Sequence, residues 1–302
     1  MRIRRKAALS TAQIQRPQSG EITGNGEVKQ LSQTDLRRLF AVAGRSVVVT
    51  GGAGGIGFAV ADILSDQGAC VTLLDRDQAK IESAVRRLSG REGLVRGEVC
   101  DVTDADGMRR AFDAAASIQN GIDIVFANAG MATMAPGPRG LDGAPVREGE
   151  VDSYDLADWR RVLDVNLTGI FLTAREAARY MKKKGWGRLV ITSSVYALRN
   201  TLTVGVPYMV SKAGAAHLMR NLAAELAPHG ITVNAIAPGP FETDISGGAL
   251  HDPGIRALIG GTVPLGRVGQ VDELKGLALF LASPASSYMT GAQLSIDGGL
   301  SI

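Results

Sequence analysis

Residues 46–57 read SVVVTGGAGGIG, so a β-branched run passes directly into a glycine-rich turn. The run Ser46–Thr50 favours a buried strand, because four of its five residues are branched at Cβ. Glycines permit a tight turn and let a pyrophosphate group approach the backbone closely. A helix predicted from Ile56 would present unpaired N–H groups and a positive dipole end to that anion. The order of strand, glycine turn and helix therefore predicts a dinucleotide-binding unit.

Short apolar runs continue to alternate with helical periods as far as the C-terminus. Strands are predicted at Ser46–Thr50, Cys70–Asp75, Leu94–Asp101, Ile122–Asn128, Gly187–Ser193, Ile231–Ala237 and Gln293–Ile296. Helices are predicted at Ile56–Gln67, Gln78–Leu88, Asp106–Ala116, Trp159–Lys184, Tyr208–Ala227 and Val271–Leu281. Apolar strands separated by helices indicate a parallel sheet that is covered on both faces. We therefore predict an α/β fold, a Rossmann-type doubly wound sheet of seven parallel strands, in one domain over residues 35–302.

The charge balance separates an N-terminal extension from the rest of the chain. The 302 residues include 33 Lys and Arg and 30 Asp and Glu, and five of the cations lie in residues 1–20, which hold no acid. Residues 21–302 therefore carry a net charge of −2, which gives a nucleic-acid function little support. Residues 1–34 are polar and without apolar periodicity, so we predict a disordered basic extension. An organelle presequence or a partner-binding arm is the alternative for this segment.

The same composition argues against membrane, disulfide and metal chemistry. No apolar run approaches the roughly 18 residues that a membrane span requires, so no membrane partner is predicted. Cys70 and Cys100 cannot form a disulfide framework, and no secretory leader is recognised, which together predict a cytoplasmic location. The three histidines are scattered without ligand spacing, so no metal site is predicted.

Asp75 ends the second predicted strand, 18 residues after Gly57. A carboxylate at this place can accept hydrogen bonds from the adenosine ribose hydroxyls and would repel a 2′-phosphate. The neighbouring Arg76 could instead attract such a phosphate. We interpret the pair as favouring NAD, with NADP less favoured. A helix N-cap is the alternative role for Asp75.

Two further strand ends lie beside the first strand in the predicted sheet. The third strand ends in Asp101-Val102, and the fourth ends in Asn128-Ala129-Gly130. Ligands of open α/β sheets bind at the carboxyl ends of the strands, so these residues are candidates for cofactor binding. Ordinary turns are the alternative for both segments.

Tyr208 and Lys212 are four residues apart in a predicted helix and should share one face. A buried ammonium would lower the pKa of the phenol from about 10, which suits a general acid or base for a hydroxyl or carbonyl group. Ser194 ends the fifth strand 14 residues upstream and could polarise the same oxygen. Asn166 is a polar residue in mid-helix, which suggests an inward role such as holding a water near Lys212. A solvated helix face is the alternative for Asn166.

Together these motifs resemble those of the short-chain dehydrogenase/reductase family. The matching residues, in the family's order, are Gly51-x-x-x-Gly55-x-Gly57, Asn128-Ala129-Gly130, Asn166, Ser194, Tyr208-x-x-x-Lys212 and Pro238-Gly239, over about residues 38–302. The resemblance implies that Tyr208 is the catalytic acid/base and that Ser194 polarises the carbonyl. It further implies that Asn166 anchors a proton-relay water, while Lys212 lowers the pKa of the tyrosine and binds the nicotinamide ribose.

The resemblance also implies a cofactor site. Pro238-Gly239-Pro240-Phe241-Glu242-Thr243 looks like the family's nicotinamide carboxamide site, to which Thr243 would contribute its hydroxyl. Asp101 and Val102 would flank the adenine. The complete implied set is Gly51, Gly55, Ile56, Gly57, Asp75, Asp101, Val102, Asn128, Ala129, Gly130, Tyr208, Lys212, Pro238, Gly239, Phe241 and Thr243.

Three features depart from the family pattern. The N-terminal extension is long, the stretch from Met131 to Leu156 is about ten residues longer than expected, and the interval from Ser194 to Tyr208 is one residue longer. The last departure leaves Ser193 as an alternative to Ser194.

We predict an oxidoreductase that transfers a hydride between NAD(H) and a secondary alcohol or ketone. The predicted lid, Phe241–Arg267, mixes apolar and charged side chains, which suits a small polyol, sugar or alicyclic alcohol better than a long acyl chain. An NADPH-dependent 3-oxoacyl-carrier-protein reductase is one alternative, and a non-catalytic dinucleotide-sensing regulator is another. The resemblance implies a homodimer or homotetramer that pairs through the two long helices.

Overall fold

The computed structural model describes residues 33–245 and 247–302 of the chain. In these ranges seven parallel strands form one sheet in the order β3-β2-β1-β4-β5-β6-β7. The strands are β1 Ser46–Thr50, β2 Cys70–Asp75, β3 Val95–Val99, β4 Ile124–Ala127, β5 Gly187–Thr192, β6 Ile231–Pro238 and β7 Gln293–Ile296. The chain reverses its direction of winding between β1 and β4, and such a switch point opens a crevice at the carboxyl ends of the strands. The predicted doubly wound fold is confirmed.

Helices cover both faces of the sheet. They are α1 Gln33–Leu39, α2 Gly55–Asp66, α3 Gln78–Arg87, α4 Ala105–Gln119, α5 Leu156–Leu163, α6 Gly169–Lys184, α7 Val206–Leu226, α8 Pro253–Gly260 and α9 Lys275–Ala282. Apolar side chains of α2, α3 and α9 pack on one face, and those of α4, α6 and α7 pack on the other. None of the helices in the described ranges combines the length and apolarity that a membrane crossing requires.

The two-sided core explains why the strands lack hydrophobic alternation. Val47 and Val49 of β1 belong to the core beneath α2, whereas Val48 belongs to the core beneath α6. Successive residues of a strand point to opposite faces, so a sheet that is buried twice requires apolar residues at every position.

The element boundaries differ from the predicted ones mainly at the ends. The long helix predicted over Trp159–Lys184 begins at Leu156 and is divided by a π-helical turn, Asp164–Thr168. Two helices, α1 and α8, were not predicted. The predicted domain boundary at residue 35 falls inside α1, and residues 1–32 of the predicted basic extension lie outside the described residues.

Candidate active site

The glycine turn links β1 to α2 in a conformation that needs glycine at two positions. Gly51 and Gly55 have φ of +62° and +50°, in the left-handed region. A Cβ on Gly57 would clash with the carbonyl oxygen of Gly51. The turn therefore closes tightly on the first turn of α2.

The same turn leaves an open cradle at the start of α2. Gly54 is the N-cap, and no side chain caps the helix there. A Cβ on Gly54 would meet nothing within 4 Å. Uncapped N–H groups at a helix N-terminus bind anions, and they bind phosphates in particular. These residues thus fit the pyrophosphate of a dinucleotide.

Asn128 ties the ends of three neighbouring strands together. Its side-chain amide donates to the carbonyl oxygens of Thr50 (3.2 Å) and Gly51 (3.3 Å), and its Oδ1 accepts from Thr192 Oγ1 (3.0 Å). The Thr50 hydroxyl accepts from the backbone N–H groups of Asn128 (3.0 Å) and Ala129 (3.2 Å). The Asn128 side chain is therefore engaged with protein groups and holds the glycine turn in place.

Thr50 and Thr192 are positioning residues that the sequence analysis missed. Each is the last residue of its strand, β1 and β5 respectively. A hydroxyl at the carboxyl end of two strands near the switch point was the signal that could have identified them.

Asp75 lies partly buried at the end of β2, next to the glycine turn, since Gly52 N donates to Leu74 O (3.2 Å). Its Oδ1 accepts from the backbone N–H of Asp77 (3.3 Å). The N-cap of α3 is Asp77, which accepts from Lys80 N (3.1 Å). Asp75 is therefore not the N-cap of α3, and the alternative role does not hold.

Asp101 and Val102 follow β3, which lies next to β2, so they are on the same side of the glycine turn as Asp75. Asp101 Oδ1 accepts from the backbone N–H (2.8 Å) and the hydroxyl (2.7 Å) of Thr103, which fixes the turn. Val102 is buried and packs against Gly169 at the start of α6. Arg76 and Asp101 both line a cleft of about 540 Å³ between the ends of β2 and β3 and helix α4.

Tyr208, Lys212 and Asn166 meet at the carboxyl edge of the sheet. Lys212 is 2% exposed, its Nζ donates to Thr192 O (2.9 Å), and it lies 5.8 Å from the centroid of the Tyr208 ring. A Cβ on Gly130 would stand 3.3 Å from both Lys212 Nζ and Asn166 Oδ1. The segment after β4 therefore passes directly over the lysine and the asparagine.

The electrostatics of this pair differ from the sequence expectation. Burial raises the pKa of the Tyr208 phenol; the Ser194 hydroxyl beside it acts in the opposite direction, and Tyr196 acts in the same direction as burial. Burial lowers the pKa of Lys212 to about 8. The expected lowering of the tyrosine pKa by the lysine is absent, because Nζ is directed to the Thr192 carbonyl and desolvation of the phenol dominates.

The two serines at the end of β5 have different surroundings. The Ser193 hydroxyl is buried and donates to the backbone carbonyl of Lys212 (3.1 Å). Ser194 Oγ accepts from Tyr196 N (3.2 Å) and lies beside the Tyr208 phenol. Ser194 is therefore the serine that accompanies the tyrosine.

Asn166 is fully buried within the π-helical turn, so the solvated-face alternative does not hold. Its Oδ1 accepts from Met131 N (2.8 Å), and its Nδ2 donates to Met131 O (2.9 Å) and Ser211 Oγ (3.2 Å). The Ser211 hydroxyl in turn donates to Tyr208 O (2.7 Å). The Asn166 side chain therefore joins the segment after β4 to α7, and π turns of this kind are frequent at functional sites. The sequence analysis missed Ser211, whose place three residues after Tyr208 was the available signal.

The segment after β6 closes over the glycine turn. Pro238 ends β6, and Gly239 N donates to Ile296 O (3.0 Å) of β7. The Thr243 methyl lies 3.3 Å from the place that a Cβ on Gly55 would take. Phe241 is buried in the core with its ring against Gly269, so its side chain points away from the crevice.

The predicted lid contains α8. Before this helix, His251 contacts two carboxylates of the lid, Glu242 and Asp244. His251 is exposed; its Nε2 is 2.9 Å from Asp244 Oδ1 and its Nδ1 is 3.3 Å from Glu242 Oε1. Hydrogen bonds to Asp244 and Glu242 raise the pKa of His251. His251 is thus bound to carboxylates of the lid rather than to Tyr208.

Comparison with known proteins gives matches over most of the chain. The family described as enoyl-(acyl carrier protein) reductase matches residues 51–301. A cis-4-hydroxycyclohexanecarboxylate dehydrogenase of Sinomonas cyclohexanicum is 37% identical over 261 residues, which cover 86% of this chain and 97% of that protein. A 3-oxoacyl-[acyl-carrier-protein] reductase of Aquifex aeolicus is 34% identical, covering 85% and 97%. A D-threitol dehydrogenase of Mycolicibacterium smegmatis is 35% identical, covering 87% and 95%.

Solved structures match equally well. A short-chain type dehydrogenase/reductase from Mycobacterium marinum has a TM-score of 0.79 at 35% identity, covering 88% of this chain and 98% of that one. A gluconate 5-dehydrogenase from Burkholderia cenocepacia, in complex with NADP and tartrate, has a TM-score of 0.77 at 33% identity, covering 88% and 98%.

Proposed function

The chain belongs to the short-chain dehydrogenase/reductase family, and from this premise we propose that it interconverts a small secondary alcohol and its ketone with NAD(H). It is an oxidoreductase acting on CH–OH groups, and its cofactor is a nicotinamide dinucleotide. The observation that carries the finer proposal is the meeting of Tyr208, Ser194 and Lys212 at the carboxyl edge of the sheet, the edge at which the open glycine turn also lies.

We propose the catalytic roles that the family resemblance implies, and the meeting of these side chains supports them. A bound nicotinamide dinucleotide supplies or accepts the hydride. Tyr208 gives its proton to the carbonyl oxygen in reduction and takes it back in oxidation. Ser194 donates a hydrogen bond to the same oxygen, which favours the charge that develops there. As the resemblance implies, Lys212 would hold the nicotinamide ribose, and Asn166 would anchor the proton-relay water beside it.

Tyr208→Phe tests the assignment most directly. We expect turnover to fall by about 10²- to 10⁴-fold, the usual worth of a general acid or base, because only the phenolic proton is lost. NADH affinity, measured by fluorescence titration, should stay within about twofold. Equal turnover in the variant and the parent would refute the role of Tyr208.

The proposed cofactor is NAD, because the Asp75 carboxylate lies beside the glycine turn where an adenosine ribose would bind. Initial rates with NADH and NADPH measure the preference, and we expect NADH to be favoured at least about tenfold. Asp75→Ala should remove most of that preference, since the repulsion of a 2′-phosphate is lost while Arg76 remains. A preference of the parent for NADPH would contradict the proposal and favour the 3-oxoacyl-carrier-protein reductase.

The proposed substrate is a small polyol, sugar or alicyclic alcohol. Relatives named for a hydroxycyclohexanecarboxylate and for D-threitol support this class, as does the mixed polar and apolar lid. The relative named as a 3-oxoacyl reductase supports the alternative. An activity screen over polyols, sugar acids, cyclic alcohols and 3-oxoacyl thioesters separates the two. Tight NADH binding without turnover of any compound would instead support the dinucleotide-sensing regulator.

We propose that the enzyme works in the cytoplasm as a homodimer or homotetramer. The two cysteines, Cys70 and Cys100, are free, which is consistent with a reducing compartment. Phe171 of α6 and Val210 of α7 expose apolar side chains, which supports pairing through the long helices.

A further inference from the structure

The stretch between β4 and α5, residues 131–155, docks against the segment that leads into α7. Gly137 N donates to Thr203 O (3.2 Å), and Arg139 N donates to Leu202 O (3.0 Å). This stretch is the long loop in which the chain departs from the family pattern. Its backbone is therefore fixed on the residues that immediately precede the catalytic helix.

A buried carboxylate holds the beginning of this loop. Asp158, in the first turn of α5, is 4% exposed. Its oxygens accept from Met134 N (3.1 Å), from the Tyr154 hydroxyl (3.0 Å) and from Arg161 (2.6 Å). Burial alone would raise the pKa of Asp158, but the hydrogen bonds from Arg161, Tyr154 and Met134 outweigh it and lower the pKa. We refer to Asp158 with Tyr154 and Arg161 as the Asp158 latch.

The Asp158 latch packs against the N-terminus of α7, the helix that carries Tyr208. Gly205 is the N-cap of α7, and Tyr208 N donates to Gly205 O (3.1 Å). A Cβ on Gly205 would stand 2.5 Å from Thr133 Oγ1 and 2.7 Å from the Tyr154 hydroxyl. Nothing larger than glycine fits there while the latch is closed.

The four residues Met131–Met134 are thus fixed at both ends. Met131 is held by Asn166 at one end, and Met134 is held by Asp158 at the other. The segment begins after Gly130, which lies over Lys212, and its Thr133 abuts Gly205 at the start of α7. It therefore runs from the lysine to the first turn of the catalytic helix, alongside the place where an alcohol must approach Tyr208.

We propose that Asp158 is a positioning residue that fixes Met131–Met134 as a wall of the substrate pocket and thereby restricts the pocket to small alcohols. The inference rests on the proposed function and goes beyond it, because it assigns substrate selection to the Asp158 latch. In this proposal Asp158 and Tyr154 act by holding the loop and have no role in proton transfer or in cofactor binding.

Asp158→Asn is the first test. The amide keeps the size of the side chain but cannot pair with Arg161, so the wall should loosen. We expect KM for the preferred small alcohol to rise about 5- to 20-fold, kcat to stay within about threefold and NADH affinity to be unchanged, which is the pattern of lost uniform substrate binding. The matched control is Arg147→Gln, which removes an exposed ion-pair cluster of the same loop and should change none of these values.

Gly205→Ala opens the latch from the other side. The backbone of Gly205, with φ −60° and ψ 138°, suits alanine, so the substitution acts through side-chain contacts, of which those with Thr133 and Tyr154 are the closest. The same rise in KM is expected. Adding Thr133→Ala removes two of the three closest contacts with the new methyl group and should return KM toward the parent value. If Asp158→Asn fails to fold, this pair of variants decides the question.

Tryptic cleavage after the exposed Arg139 reports release of the loop without any need for activity. We expect faster cleavage in Asp158→Asn and Gly205→Ala than in the parent. Faster cleavage with unchanged KM, or a fall in kcat at constant KM, would refute the proposal that Met131–Met134 form a wall of the substrate pocket. An unchanged rate of cleavage would refute the proposal that the Asp158 latch holds this loop in place. A further outcome is a parent that turns over no alcohol while trypsin still cleaves the variants faster than the parent. That result would refute the proposed function and the role of Met131–Met134 in substrate selection, but it would support the role of the Asp158 latch in holding the loop.

Discussion

At the scale of single residues, Lys212 shows how burial sets the chemistry of the site. The ammonium is 2% exposed and donates to one backbone carbonyl, that of Thr192. Desolvation disfavours the charged form and lowers the pKa of Lys212 to about 8. With a pKa of about 8, the ammonium is still the main form at neutral pH, but it loses its proton more readily than an exposed lysine does. A lysine with this pKa suits the role beside Tyr208 that we propose.

This shifted pKa makes the stability of the protein depend on pH. Between about pH 8 and the ordinary lysine pKa of about 10.4, the unfolded chain keeps a proton on Lys212 that the folded chain has lost. The unfolding free energy should therefore rise with pH across this window. Relative to Lys212→Met, the parent should gain on the order of 3 kcal/mol between pH 7.5 and 10.5.

Urea unfolding of the parent and Lys212→Met at several pH values measures this difference. Groups that lie away from Lys212, such as Cys100, contribute equally to both proteins and cancel. A difference in unfolding free energy that stays flat from pH 7.5 to 10.5 would show that Lys212 is not desolvated as the structure indicates.

At the scale of secondary-structure elements, the sequence predicted the strands better than the side-chain directions. Apolar runs identified the five inner strands, β1, β2, β4, β5 and β6, to within a few residues, because strands buried on both faces carry apolar side chains at nearly every position. The edge strands β3 and β7 were also located, although they include polar residues and are not fully buried. Helix α8 was missed, because Pro253–Gly260 is only eight residues long, is half exposed, and contains two glycines, which are poor helix formers.

The site could be predicted as a set of residues but not as a set of contacts. The motifs placed Tyr208, Lys212 and Asn166 in one region, where the structure has them. The direction of Lys212 Nζ toward Thr192 and the inward turn of the Phe241 ring depend on packing between elements distant in sequence. Neither helical spacing nor a motif specifies such tertiary contacts.

The start of α2 permits a prediction that separates folding from binding. A Cβ on Gly57 would clash with the Gly51 carbonyl, whereas a Cβ on Gly54 would enter open space. Gly54 has φ −159°, an extended conformation that alanine adopts freely. We expect Gly57→Ala to lower the unfolding free energy by about 1–3 kcal/mol, the usual cost of overpacking. Gly54→Ala should leave the melting temperature unchanged but weaken NADH binding at least about tenfold, because its methyl group occupies the cradle.

Thermal unfolding together with NADH titration distinguishes the two glycine variants. The prediction requires opposite patterns, with a stability defect at Gly57 and a binding defect at Gly54. Should Gly54→Ala bind NADH as tightly as the parent, the dinucleotide would not approach the backbone at this turn, and the fit of the cradle would be wrong.

At the scale of the whole molecule, the two long helices α6 and α7 each expose an apolar side chain that the proposed pairing of copies would cover. Phe171 on α6 is 46% exposed and Val210 on α7 is 43% exposed, and α6 packs against α7. Interfaces between copies are depleted of charge at their centre, and a charge buried there without a partner costs several kcal/mol. Phe171→Glu should therefore reduce the assembly to a species of lower mass, measured by light scattering after size-exclusion chromatography. Leu94→Glu, at an exposed apolar residue before β3, is the matched control and should keep the parent mass. An unchanged mass for Phe171→Glu would place the contacts between copies on another surface.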